Sequence, residues 1–376
     1  MRATALLALL LAVPGPPGRL PRYDRVLLLD TFADTSANAS IADLDGDGNL
    51  DILLVKGRHW PKRSRVLMGD GRGRIKSSHD LSETPYRSYS GKLVDLDGDG
   101  HLDVVLSNDA PDQKTTFLND GTGHFRAGGS FGRHEWDTRN AALADLNADG
   151  LQDIIVANRA DSAIAYICLN RGKGRFDDSC EALAHASSTT ITPADFNHDG
   201  RPDLAVPHRD RGQSYVYLNG GNARFTNERR VPFGPNDARI RVAEAADIDG
   251  DGSIDLVVID EARGVAIYRG LKNGGFADAR ALDNGKVTPY ALTVADLNKD
   301  GSIDIVVGNI EAPSVVYFND GSGRHFTPTQ FGDNKGTVYG FAIADLDRDG
   351  FLDIAVAKSD APSVVHFGDA PSNRRP

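Results

Sequence analysis

The chain has 376 residues and a formal net charge of −11. Its hydrophobic share of 40% and charged share of 25% are ordinary for a folded protein and exclude wholesale disorder. A net-acidic chain without a Lys/Arg block excludes nucleic acid as the main partner, and two cysteines exclude a disulfide-dense scaffold and a Cys-based zinc site.

The N-terminus reads Met1-Arg2, then an apolar run from Ala3 to Val13, then Pro14-Gly15-Pro16-Pro17-Gly18. One positive charge before an 11-residue apolar core is signal-peptide grammar, which assigns residues 1–18 to a leader. The run is shorter than the ~20 residues that a membrane span needs. The mature chain is therefore expected to be secreted or periplasmic, without a membrane span. Arg25 to Phe32 then reads as a β-strand.

A nine-residue pattern follows, Asp-x-(Asp/Asn)-x-Asp-Gly-x-x-Asp. Its copies start at Asp43, Asp95, Asp145, Asp195, Asp247, Asp296 and Asp345, spaced 49 to 52 residues apart. Each copy precedes a short apolar run, such as Asp153-Ile154-Ile155-Val156, that reads as a buried strand. A second strand comes next, then a Gly-rich turn such as Asn119-Asp120-Gly121-Thr122-Gly123. A third strand opens with an aromatic, at Phe125, Phe176, Phe225, Phe276 and Phe326, and a fourth precedes the next copy. Four strands per repeat, seven times, with no helical periodicity, predict an all-β chain: a seven-bladed β-propeller of four-stranded blades over residues 23–369, with 370–376 a tail. The last repeat stops after Val364-Val365-His366-Phe367, one strand short. The strand at Arg25–Phe32 is expected to close that last blade and hide two sheet edges.

The motif also carries chemistry. Its first, third, fifth and ninth residues offer side-chain oxygens, its seventh offers a backbone carbonyl, and the glycine permits the bend. Hard oxygen ligands on a loop suit Ca²⁺, which takes 6–8 oxygens at ~2.3–2.6 Å. The expected ligands are Asp43, Asp45, Asp47, Asn49 and Asp51; Asp95, Asp97, Asp99, His101 and Asp103; Asp145, Asn147, Asp149, Leu151 and Asp153; Asp195, Asn197, Asp199, Arg201 and Asp203. The remaining loops add Asp247, Asp249, Asp251, Ser253 and Asp255; Asp296, Asn298, Asp300, Ser302 and Asp304; Asp345, Asp347, Asp349, Phe351 and Asp353. Up to seven Ca²⁺ ions are expected, in a structural role, because without metal each loop gathers several like charges. Seven ions would take the net charge from −11 to about +3.

These residues resemble the FG-GAP/VCBS repeat: the Asp loop, then "Asp-Ile-Val-Val", then "Leu-Asn-Asp-Gly-x-Gly-x-Phe". That repeat builds the seven-bladed propeller of integrin α-subunits, and it occurs in secreted bacterial proteins, lectins and lyases. The resemblance covers about residues 23–369 and implies the fold and the calcium sites. This chain departs from integrins in that every loop is complete.

Cys168 and Cys180 flank the turn Asn170-Arg171-Gly172-Lys173-Gly174. In an oxidising compartment they staple that hairpin, and the leader favours this over one packed and one exposed thiol. In a propeller the Asp loops share one face. The opposite face then carries Trp60, Trp136, Arg139 and His208, the candidate ligand-binding residues, together with His59, Tyr86, Arg87, Tyr89, His134, Arg159 and Arg209. Loop aromatics beside Arg and His suit sugar rings and acidic groups. No triad, His-Glu-x-x-His or phosphate-loop pattern occurs. The expected function is a monomeric, non-catalytic binding or adhesion module for carbohydrate or a cell-surface protein. The competing reading is a polysaccharide lyase or dehydratase, with Arg139 or Arg159 neutralising a uronate and His208 or Tyr86 as base.

Overall fold

The structure is a computed structural model describing residues 20–160, 163–176, 180–210, 212–282 and 285–370. The expected leader, 1–18, and all but the first residue of the expected tail, 370–376, lie outside the described residues. All helix and strand assigned among the described residues is β, and no helix is long and apolar enough to cross a membrane.

β1 (Arg22–Leu28) stands alone at the start. A first set follows: β2 (Asp34–Ala42), β3 (Asp51–Lys56), β4 (Arg65–Gly69) and β5 (Ile75–Asp80). The second is β6 (Ser88–Val94), β7 (Asp103–Asn108), β8 (Lys114–Asn119) and β9 (Phe125–Phe131). The third is β10 (Thr138–Ala144), β11 (Asp153–Asn158), β12 (Ile164–Cys168) and β13 (Glu181–His185). The fourth is β14 (Thr192–Ala194), β15 (Asp203–Val206), β16 (Ser214–Tyr217) and β17 (Arg230–Phe233). The fifth is β18 (Ile240–Ala246), β19 (Asp255–Asp260), β20 (Gly264–Tyr268) and β21 (Arg280–Ala281). The sixth is β22 (Pro289–Ala295), β23 (Asp304–Asn309), β24 (Ser314–Asn319) and β25 (Phe326–Phe331). The last has three strands, β26 (Thr337–Ala344), β27 (Asp353–Ala361) and β28 (Val364–Asp369).

Sets two to six are separate four-stranded antiparallel sheets in chain order. β1 pairs antiparallel with β28, from Arg25 opposite Phe367 to Leu28 opposite Val364, and supplies the strand that the last set lacks. The first and last sets are joined as well, because Asp34 and Thr35 of β2 pair with Ala361 and Ser359 of β27. They merge into one eight-stranded sheet, so strand pairing gives six sheets where the repeats predict seven. The cause is strand length: β27 has nine residues, against six in β3, β7, β11, β19 and β23. Its surplus end overlaps the start of β2. The first strands of the sets touch in the order β2, β6, β10, β14, β18, β22 and β26, and β26 touches β2 again, so the sheets form a closed ring.

The second strand of each set is covered on both faces, which is why it reads as an unbroken apolar run. The cores lie between neighbouring sheets. Leu53 and Val55, for example, pack with Val104 and Leu106, and Val257 and Ile259 pack with Ile305 and Val307. Cys168, the last residue of β12, is disulfide-bonded to Cys180 just before β13.

The aromatic expected to open the outer strand does so at Phe125 and Phe326. Phe176, Phe225 and Phe276 instead precede their outer strands, which begin at Glu181, Arg230 and Arg280. Their rings still pack on the cores. Packing holds the aromatic in place, and Phe176 and Phe276 make single bridges to Asn170 and Gly270.

Candidate functional site

Two candidate sites lie at opposite ends of the same first strands. At one end, each Asp loop joins the first strand of a set to the second. Every loop places two residues in the left-handed region. The sixth is always glycine, from φ 81° at Gly200 to 93° at Gly350. The fourth is Gly46, Gly98 or Gly250 in three loops, but Ala148, His198, Lys299 and Arg348 adopt the same conformation at φ 56–62°. The first carboxylate holds this bend, with Asp43 accepting N–H bonds from Gly46 at 2.8 Å and Gly48 at 2.9 Å.

The ninth residue does more than offer an oxygen. Asp51, Asp103, Asp153, Asp203, Asp255, Asp304 and Asp353 are all buried. Asp51 accepts from Leu44 N–H at 2.9 Å and Gly69 N–H at 2.7 Å, so it clamps the loop to the end of β4. The other six repeat this pattern, as in Asp304 with Leu297 and Asn319. Burial pushes Asp103, Asp203 and Asp255 up to about 6, and Asp304 and Asp353 up to about 7, against the downward pull of these backbone bonds. Two accepted bonds leave such a carboxylate with lone pairs for a cation.

In four loops, oxygens of three carboxylates lie within 4.8 Å of one another: Asp43, Asp45 and Asp51; Asp95, Asp97 and Asp99; Asp247, Asp249 and Asp251; Asp345, Asp347 and Asp353. These are the loops with Asp at the third position. One oxygen there, Asp249 Oδ1, is buried without a hydrogen-bond partner. The all-oxygen donor set fits a hard cation such as Ca²⁺. In the other three loops, the amides of Asn147, Asn197 and Asn298 donate to Asp149, Asp199 and Asp300 at 2.9, 3.0 and 2.8 Å. Basic side chains also reach the loops. Lys76 approaches Asp45 at 3.2 Å and bonds Asp47, which it holds down at about 2, and Arg269 lies 2.7 Å from Asp249.

The other site forms at the far end of the first strands, about 20 Å away at ~3.3 Å per residue. Six of the seven first strands shift register against their second strand, skipping Ala37, Tyr89, Arg139, Arg241, Tyr290 or Tyr339. Such a bulge leaves one residue unpaired and re-aims its side chain. Each skipped residue lies six positions ahead of its Asp loop, and all six line one cavity of about 130 Å³ with Thr189, their counterpart ahead of β14. The chain after the second strands adds Arg58, His59, Arg159 and Arg209.

Contacts across this cavity link neighbouring sheets. The guanidiniums of Arg58, Arg139 and Arg241 lie over the rings of Tyr339, Tyr89 and Tyr290 at 3.8, 4.4 and 3.3 Å. Arg139 pairs with Asp109, Arg209 and Arg241 pair with Glu261, and Arg159 lies 3.4 Å from Asp210. Tyr290 donates to the Tyr339 hydroxyl at 2.9 Å. Burial would raise the Tyr290 hydroxyl, but Arg241, that hydrogen bond, Arg58 and Arg209 outweigh it and the net shift is downward. His59 is held below its ordinary value by burial, then by Arg139 and Arg58. Farther along the axis, Lys92 and Glu244 face a second cavity of about 290 Å³.

The FG-GAP-like repeat model matches residues 43–106, 95–156, 145–206, 195–258, 247–307 and 296–356. The chain belongs to the FG-GAP-like repeat family. Each matched segment runs from one Asp loop through the next, so six overlapping segments traverse all seven loops. This FG-GAP chain is a β-propeller, a ring of sheets about an axis. BBS1N in complex with ARL6DN superposes with a TM-score of 0.64 at 11% identity, covering 95% of this chain and 98% of that one. YCF48 bound to D1 peptide superposes at 0.58 and 11% identity, covering 93% and 100%. These likenesses concern fold alone. No curated protein sequence matches the chain.

The FG-GAP scaffold distributes the candidate ligand residues unevenly. Arg139 lines the axial cavity, joined by His59, Tyr89, Arg159 and Arg209. Trp60 is 64% exposed, in the loop that carries Arg58 and His59. Trp136 is stacked on Tyr166 at 4.0 Å and packs on a core. His208 lies outside the cavity, its backbone N–H bonded to Ser214. Tyr86 packs edge-on to Phe117, Arg87 pairs with Asp112, and His134 pairs with Glu135. Arg58, Arg241, Tyr290 and Tyr339 escaped sequence reasoning, although a column counted six residues back from each loop exposes the last three.

Proposed function

We propose that this protein is a secreted, calcium-stabilised seven-bladed β-propeller that acts as a non-catalytic binding module for carbohydrate or a cell-surface protein. Seven first strands in cyclic order support the blade count, with the eight-stranded sheet taken as two blades bridged at β2 and β27. The oxygen-lined loops support calcium in a structural role, remote from the binding face. The axial cavity carries the functional reading: polar and aromatic groups from every sheet converge on one point. The same fold carries a partner in BBS1N with ARL6DN and in YCF48 with D1 peptide.

A second reading, eliminative cleavage of an acidic polysaccharide, is favoured by one observation. The Tyr290 hydroxyl is lowered beside Arg241 and hydrogen-bonded to Tyr339, an arrangement suited to a base. The expected bases, His208 and Tyr86, do not line that cavity. The test is to incubate the protein with a polysaccharide panel and with cell-surface extracts, with calcium and with chelator. Retention without new reducing or unsaturated ends supports the binding module. New ends that disappear in Tyr290→Phe would replace it with the lyase.

A further inference from the structure

The axial cavity gathers more cationic donors than its own acceptors engage. Arg139, Arg159, Arg209 and Arg241 share three carboxylates, Asp109, Asp210 and Glu261. Arg58 has no ion pair among the described residues: one nitrogen donates to Ser359 Oγ at 2.8 Å, and its Nε is buried without a partner. Arg159 Nε and Thr189 Oγ1, which line the same cavity, are also buried and unpartnered. Buried donors without acceptors are costly, and three gathered at one place mark where an acceptor is missing. The site is built rather than superficial, since the side chains of Arg241 and Arg139 are only 7% and 10% exposed. Guanidinium groups stay charged in such surroundings, and their planar forks match the two oxygens of a carboxylate.

The rim sets the rest of the ligand. Tyr89, Tyr290 and Tyr339 line the cavity with the guanidiniums, whereas Trp60, two residues after Arg58, is exposed and outside the lining. Flat aromatic faces with hydroxyls beside them suit a hydroxylated ring. At about 130 Å³ the cavity is smaller than the pockets of drug-sized ligands, so it takes an end group, not a chain. We propose that the axial cavity binds the carboxylate of an acidic sugar, with the sugar ring against the tyrosines that line it. This rests on the binding-module reading and names its ligand class.

The test is calorimetric titration of the full chain, in calcium, with di- and trigalacturonate, with their carboxyl-reduced counterparts and with tetraglutamate. Arg58→Gln and Arg159→Gln are titrated alongside, and every variant is melted. We expect the uronates to bind, affinity to fall as salt rises, and the reduced sugars to bind at least ~10-fold more weakly. Arg58→Gln should lose about 10–100-fold, while its melt falls only by what the lost Tyr339 stacking and Ser359 bond contribute, since it breaks no ion pair. Equal binding of the reduced sugars would overturn carboxylate recognition and leave the binding module standing. Binding of tetraglutamate alone would overturn the sugar. Wild-type affinity in both variants would place the ligand elsewhere and overturn the site. If none of these ligands binds, the proposal falls, and retention of other polysaccharides or proteins then decides separately whether the module reading falls with it.

Discussion

Asn319→Ala should cost more than any exposed polar substitution in this chain, because that amide clasps two sheets. It is buried at the end of β24. Its Nδ2 donates to Ile248 O in the preceding sheet's Asp loop at 2.7 Å and to Ile303 O at 3.1 Å. Its Oδ1 accepts from Gly321 and Gly323, each at 3.1 Å. Alanine removes four hydrogen bonds at a net ~0.5–1.5 kcal/mol each, giving about 2–6 kcal/mol. In a chain of 376 residues, with an unfolding entropy of ~2.1 cal/mol/K per residue, that lowers Tm by roughly 3–8 °C. The assay is differential scanning calorimetry in 1 mM calcium, beside Asn273→Ala, whose exposed side chain accepts from Gly275 N–H at 3.0 Å. The control should shift stability by under ~0.5 kcal/mol. Equal shifts for the two variants would refute the clasp.

Three further outcomes follow from the same geometry. Glu244→Gln should change how stability depends on pH: burial lifts this carboxyl from 4.5 to about 7, so protonation favours the fold and wild-type stability falls as pH rises from about 4.5 through 7. The variant should melt higher at pH 8 by up to about 3 kcal/mol of stability and lose that slope, and an unchanged melt at pH 5 and 8 would contradict it. Calcium titration should resolve four stronger sites, the loops with three clustered carboxylates, and chelation should lower Tm; seven equal sites would contradict the ranking. Deleting residues 22–28 should unfold or aggregate the protein by uncovering β28, and a monomer with an unchanged melt would refute closure by β1.

The ring of four-stranded units was legible because one motif recurs seven times and brings its strand pattern with it. The binding end was only half legible. Tyr89, Arg139, Arg241, Tyr290 and Tyr339 all sit at the second or third place of their first strands, where alternation assigns them a face. A bulge breaks that alternation by one residue and re-aims them to the axis. Trp136 misleads in the opposite direction. It belongs to a connection, yet its ring fills the space left by Gly132, where a Cβ would lie 2.4 Å from it. The left-handed fourth position of the Asp loops is hidden for a similar reason: Ala148, His198, Lys299 and Arg348 occupy it where glycine would have announced it.

The pairing of β1 with β28 joins residues that emerge from the ribosome far apart in time. At 5–20 residues per second, β1 waits tens of seconds for its partner. The entropic cost of so long a closure is small, since each doubling of loop length adds only ~0.6 kcal/mol. The kinetic cost is larger, because an unclosed ring exposes two raw edges throughout that wait. An open solenoid can lose a terminal repeat and keep the rest. A ring with its seam inside one sheet has no terminal repeat to lose, so it should resist proteases as a whole or yield as a whole.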